Sequence, residues 1–378
     1  MKSKLPNAST SIFAVMSKMA ADNNALNLSQ GFPNFESDPL LIELVNQAMK
    51  EGHNQYAPMP GDLGLREVIS RKTTKLHNKT YRPETEITVT AGATQAIFTI
   101  IAALINKGDE VIIFTPAYDC YDPSIELFGG KTIPVQLKAP NYEVDWDEVE
   151  DKITNKTKLV IINTPHNPSG MIFSEKDMLQ LQGLAEKHNL FVLSDEVYEH
   201  IIFDRNTHFS AARYPGLASR SFITASFGKT FHNTGWKMGY CLAPEPLMAE
   251  FRKVHQYNVF SVNNPMQKAL AEYLKTPDHY LGLSAFYQQK RDYILELIKD
   301  SRFKVIPSKG TYFQMLDFSE ISQESDIAFA ERLTKENKIA SIPTSVFNAN
   351  REDFKQIRIC FAKTNETLEQ AAAILNAI

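Results

Sequence analysis

Cysteine is scarce in this sequence, and neither sign of charge predominates. The chain has 378 residues and three cysteines, Cys120, Cys241 and Cys360, far apart and with no C-x-x-C pair. They suggest neither a disulfide framework nor a zinc site, so no metal centre is expected and a reducing compartment is the default. Lys plus Arg number 40 against 44 Asp plus Glu, a net charge of −4. That balance speaks against an electrostatic nucleic-acid binder. The N-terminus has no signal-type apolar core, since Lys18 interrupts the nearby apolar stretch. A cytoplasmic protein is expected. Only Ile87–Asn106 runs 20 residues without a formal charge. It carries Thr88, Thr90, Gly92, Thr94, Gln95 and Thr99, and reads as a buried strand, a tight turn and a buried helix rather than a membrane span.

What is present is an alternation. Ile87–Thr90, Glu110–Phe114, Leu159–Asn163, Leu190–Ser194 and Ser221–Ser226 are short, largely apolar and followed by turn signals, so they read as strands. Helical patterns lie between several of them. One starts at Ser174-Glu175-Lys176-Asp177 and runs to about His188, and another follows Asp62 with Leu65, Val68 and Ile69 on one face. This alternation predicts an α/β fold with a mostly parallel central sheet covered on both faces.

Near residue 280 the pattern changes. A helix is expected over Tyr287–Asp300, strands at Thr311–Leu316, Ala340–Pro343 and Gln356–Phe361, and a closing helix after Thr364. The expected division is a large α/β domain, residues 36–279, and a smaller α+β domain built from residues 1–35 and 280–378.

Three chemistries compete for Ser226-Phe227-Gly228-Lys229-Thr230. Gly228-Lys229-Thr230 could end a phosphate-binding loop of an NTPase, but Ile223 stands where the first glycine belongs. Ser226-x-x-Lys229 matches the motif of penicillin-recognising serine enzymes, without its companion motifs. The third reading is pyridoxal phosphate. It needs a lysine to condense with an aldehyde, a carboxylate for the pyridine nitrogen, donors for the ring oxygen and the phosphate, and a planar group over the ring. Taken singly, Asp195 could be a helix cap, Asn167-Pro168-Ser169-Gly170 a plain turn, and Tyr198 a core residue.

Taken together, the motifs resemble the class I pyridoxal-phosphate aminotransferases of the aspartate aminotransferase fold, the type I fold of these transferases. Methionine and kynurenine (glutamine) transaminases are the most similar subgroup. The resemblance runs from Asn27-Leu28-Ser29-Gln30-Gly31-Phe32-Pro33 to Ile357-Arg358-Ile359-Cys360-Phe361-Ala362-Lys363. It includes Asn54-Gln55-Tyr56, Ala91-Gly92-Ala93-Thr94, Asn163 through Gly170, Ser194-Asp195-Glu196-Val197-Tyr198 and Ser226 through Gly239.

The resemblance implies pyridoxal 5′-phosphate as cofactor and a role for each matching residue. Lys229 is similar to the Schiff-base lysine, Asp195 to the partner of the pyridine nitrogen, and Asn167 and Tyr198 to the donors facing the ring oxygen. Ala93, Thr94, Ser226 and Lys237 match the phosphate cup, with Lys237 where aspartate aminotransferase has arginine. Tyr118 matches the stacking aromatic. Arg358 matches the clamp for the substrate α-carboxylate, and Gly31 the glycine whose backbone nears the substrate. Tyr56 and Phe260 match residues supplied by a partner subunit, which implies a homodimer. Phe13 matches an aromatic at the pocket mouth. Ser261 stands where some kynurenine enzymes have histidine, and no second arginine is assignable to an acidic side chain.

The implied activity is ping-pong transfer of an amino group from an apolar or aromatic L-amino acid to a 2-oxo acid. Methionine is favoured, with phenylalanine, tyrosine and leucine also expected and kynurenine or glutamine open. A cysteine-conjugate β-lyase remains the alternative within the cofactor class, and a P-loop-like NTPase the alternative outside it. No nucleic-acid or membrane partner is expected.

Overall fold

The computed structural model describes residues 2–6, 8 and 10–378. In chain order, the first strand is β1 (Leu26–Asn27). Next come β2 (Ile87–Thr90), β3 (Glu110–Thr115), β4 (Lys131–Gln136), β5 (Thr157–Asn163), β6 (Phe191–Asp195), β7 (Ser221–Ser226) and β8 (Gly239–Leu242). The last four are β9 (Phe313–Asp317), β10 (Ile339–Ala340), β11 (Ile342–Pro343) and β12 (Gln356–Cys360).

The central sheet has the order β2-β8-β7-β6-β5-β3-β4. The pairs β3–β4, β3–β5, β5–β6 and β6–β7 are parallel, while β8 runs antiparallel to both neighbours. Successive side chains point to opposite faces, and each face has its own core. Val111, Ile113, Leu159, Ile161, Leu193 and Phe222 pack on one side with the helix Gly92–Leu104. Ile112, Phe114, Val160, Ile162, Val192 and Ile223 pack on the other. The uncharged stretch is therefore β2 followed by a buried helix. Among the described residues no helix is long and apolar enough to cross a membrane.

Two strands of this sheet escaped the sequence pattern. β4 contains Pro134, which is tolerated because β4 is the sheet edge. β8 is only four residues long and begins at a glycine. The helix expected over Tyr287–Asp300 starts earlier and spans Leu283–Leu297. The strand expected at Ala340–Pro343 divides. Ile339–Ala340 pairs in parallel with β1, whereas Ile342–Pro343 pairs with β12. β9 starts at Phe313 rather than Thr311, which has φ +66° and cannot continue a strand.

β9, β11 and β12 form a separate antiparallel sheet in the order β11-β12-β9. The helix Asp326–Lys335 packs beside it, and the N-terminal helix Ile12–Asp22 lies against that helix.

Candidate active site

The parallel strands deliver their chemistry at their C-terminal ends, where ligands bind in open α/β sheets. β2 leads to Gly92-Ala93-Thr94, β3 to Tyr118, β5 to Asn167, β6 to Asp195 and β7 to Lys229. These ends, with Gly31, Phe13 and Arg358, line one cavity of about 270 Å³. A larger surface cleft, about 810 Å³ around Phe35 and Lys290, holds none of them.

β7 turns directly into the single helical turn Phe227–Thr230. Ser226 caps it, its Oγ accepting from the Lys229 backbone N–H at 3.3 Å. Lys229 Nζ donates to the Gly31 carbonyl at 3.0 Å, and lies 5.9 Å and 5.6 Å from the ring centres of Tyr198 and Tyr312. Burial lowers its pKa to about 8, with Arg358 and Lys237 adding to the effect. A neutral amine is therefore accessible near neutrality. Strand and turn are contiguous, with no glycine-rich loop between them of the kind that cradles a triphosphate.

Asp195 ends β6 and is 3% exposed. Burial raises its pKa to about 6, opposed by hydrogen bonds from the Tyr121 hydroxyl and the Val197 N–H. The Tyr121 hydroxyl reaches Asp195 Oδ2 at 2.6 Å. Asn163, at the end of β5, ties two loops together. Its Nδ2 donates to the Asp195 carbonyl at 2.9 Å, and its Oδ1 accepts from the Asn167 N–H at 2.8 Å.

The helix Gly92–Leu104 begins with Gly92 at φ +77° and has no side-chain cap. Its first N–H groups and positive dipole end are thus free for an anion. Lys237 converges on the same place: a Cβ built on Gly92 would lie 3.5 Å from Lys237 Nζ. An ammonium beside a positive helix end is unfavourable unless an anion joins them. Thr94 Oγ1 and the Tyr118 hydroxyl are 3.4 Å apart.

Arg358 is 0% exposed on β12. Its Nη1 donates to Asn167 Oδ1 at 2.7 Å and its Nη2 to the Ser29 carbonyl at 3.0 Å, and its Nε has no partner. Both acceptors are neutral, and burial lowers its pKa to about 10. Its guanidinium carbon lies 3.8 Å from the ring centre of Phe313 and 5.2 Å from that of Phe13. A buried cation with only neutral partners is suited to an incoming carboxylate.

Tyr56 and Phe260 do not line the cavity of this chain. They are 81% and 47% exposed, and their rings meet edge-on at 5.3 Å. Conversely, Tyr121, Asn163, Tyr312 and Phe313 join the site without having been singled out in the sequence. Asn163 and Tyr121 sit inside or beside recognised motifs, and that adjacency is the one signal that could have found them.

A family model for aminotransferases of class I and II matches residues 23–375. The chain belongs to this family. It is 47% identical to a methionine aminotransferase of Escherichia coli K12, over 100% of this chain and 98% of that one. A solved E. coli structure reported to identify a methionine aminotransferase function superposes with a TM-score of 0.98, covering 100% of this chain and 99% of that one at 47% identity. A kynurenine–oxoglutarate transaminase of Homo sapiens is 33% identical over 97% of this chain and 88% of that protein. The N-succinyldiaminopimelate aminotransferase structure from Mycobacterium tuberculosis gives a TM-score of 0.96 at 34% identity, covering 100% and 99% of the two chains. This aminotransferase has the aspartate aminotransferase fold and works with pyridoxal 5′-phosphate.

Proposed function

We propose that this aminotransferase takes the amino group from an apolar or aromatic L-amino acid, methionine foremost, and passes it to a 2-oxo acid by a ping-pong cycle. The observation that carries the reading is the surroundings of Arg358. It is the single arginine lining the cavity among the described residues, and the rings of Phe13, Phe313 and Phe347 pack around it. A substrate would be held by one carboxylate, with apolar walls for its side chain. The names of the E. coli and human relatives point to the same substrate class.

The residues fit the cofactor. The uncapped helix start with Lys237 suits a phosphate, and Ser226 Oγ, already accepting from Lys229, keeps its O–H for the same anion. Asp195 would face the ring nitrogen, Asn167 and Tyr198 the ring oxygen, and Tyr118 one ring face. Bound pyridoxal phosphate supplies an electrophilic aldehyde and an electron-accepting ring. Lys229 anchors it. When displaced by the substrate amine, Lys229 takes the Cα proton and returns it elsewhere on the same face. Asp195 keeps a proton at the ring nitrogen, and Arg358 fixes the α-carboxylate beside Asn167.

The proposed assembly is a homodimer in the cytoplasm, with Tyr56 and Phe260 completing the partner's site. Their exposed, paired rings favour this, and three free cysteines suit a reducing compartment. The proposed domains are residues 36–279, and residues 1–35 with 280–378. Steady-state rates over a panel of amino acids test the substrate reading. Methionine, phenylalanine, tyrosine and leucine should exceed aspartate, and a clear aspartate preference would defeat it.

A further inference from the structure

Tyr121 is the first residue of the helix Tyr121–Leu127 and is 3% exposed. Its hydroxyl donates to Asp195 Oδ2 at 2.6 Å, while Asp195 Oδ1 receives only a long contact, 3.4 Å, from the Val197 N–H. One carboxylate oxygen is therefore fixed from behind, and the other is left nearly unengaged. The same phenol ring meets Tyr118 edge-on, with centroids 5.9 Å apart and planes at 82°. A single side chain thus touches both the acid and the aromatic that line this side of the cavity.

We propose that Tyr121 is a positioning residue for the reaction: its hydroxyl holds Asp195 ionised and turned toward the cofactor's ring nitrogen. This rests on the reading of Asp195 as the partner of that nitrogen. Burial beside Asp195 raises the phenol well above its usual range, so Tyr121 remains a donor throughout the working pH range. A donor to the ionised form favours ionisation and offsets the burial of the carboxylate. The other groups facing Asp195 are Glu196, which opposes its charge, and Lys229, which favours it. The Cys120 thiol also faces Asp195 and is pushed up by burial and by that carboxylate. Without Tyr121 the acid becomes a stronger base and draws the shared proton off the ring nitrogen. With less positive charge held opposite Asp195, the Lys229 nitrogen would be easier to protonate when the cofactor is bound.

Tyr121→Phe keeps the ring against Tyr118 and removes one oxygen. It is compared with Asp195→Asn and with the double variant, all as holoenzyme. The readouts are the cofactor dissociation constant, the midpoint of the chromophore's pH titration, and kcat and KM separately. Tyr121→Phe should weaken cofactor binding about tenfold. It should move the spectral midpoint to higher pH, as Asp195→Asn does, and lower kcat more than KM. In the Asp195→Asn background it should add no further spectral shift. A lower melting temperature with an unmoved midpoint would assign Tyr121 to packing alone and overturn the proposal, as would fully additive shifts in the double variant. If Asp195→Asn itself moves nothing, the reading of Asp195 fails first.

Discussion

The guanidinium of Arg358 sits 3.8 Å from the centre of the Phe313 ring, and that ring in turn crowds residue 31. A Cβ built on Gly31 would come within 2.7 Å of Phe313 Cζ. A side chain at residue 31 would have to push that ring aside, so glycine lets the N-terminal segment pass close to the clamp.

Phe313→Leu should raise KM for the amino acid and for the 2-oxo acid together, because both halves of the cycle use the same clamp. A desolvated cation–aromatic contact is worth up to about 2 kcal/mol, so roughly tenfold to thirtyfold is expected. Gly31→Ala should act through the same ring. The double variant should therefore be less impaired than the product of the two single effects. Steady-state kinetics in both directions check this, and independent effects would count against it.

Arg358→Lys keeps the charge and loses the planar fork. It also leaves Asn167 Oδ1 without its donor. Losing one charge-assisted bond in a two-bond clamp costs about 1.5–3 kcal/mol, or roughly tenfold to a hundredfold in kcat/KM for methionine. Initial-rate measurements suffice, and an unchanged value would remove Arg358 from the substrate site.

Lys229→Ala should abolish turnover while still binding cofactor non-covalently through the helix start, Ser226 and Lys237. Borohydride reduction of the unaltered protein followed by peptide mapping should place the label on Lys229. Label on any other lysine, or full activity in the variant, would refute the assignment.

The Lys229 amine also gives a pH signature in the cofactor-free protein. Its pKa is lowered from 10.5 to about 8, chiefly by burial. The stability it contributes is present above its unfolded value and is lost as pH falls through the folded one. Lys229→Met removes this buried ammonium. It should raise the melting temperature of the cofactor-free protein more at about pH 7 than at about pH 10. Equal gains at both, read by calorimetry, would mean that the amine is not desolvated.

Much of this was readable in advance, for physical reasons. Buried parallel strands are apolar on both faces, so β2, β3, β5, β6 and β7 stood out as short apolar runs. β8 did not, because one of its four residues is a glycine and it lacks the β-branched run that marks the equally short β2. β4 was hidden by Pro134, which only its edge position excuses. In the cavity, Lys229, Asp195, Asn167, Tyr198 and Arg358 come together from four separate stretches of chain. Tyr121 and Phe313 were illegible for a different reason. A tyrosine beside a turn and a phenylalanine in a strand look like core until one is seen to reach a carboxylate and the other to cover a guanidinium.

Asn163 has a consequence for robustness. Its short amide grips the backbone at Asp195 and at Asn167 at once, so two strand termini are pinned across a few ångströms of main chain. The acid and the amide that line the cavity are then spaced by two short hydrogen bonds to their main chain, with little left to the rotamer freedom of long side chains. Loops farther out can vary in length and composition without disturbing that alignment.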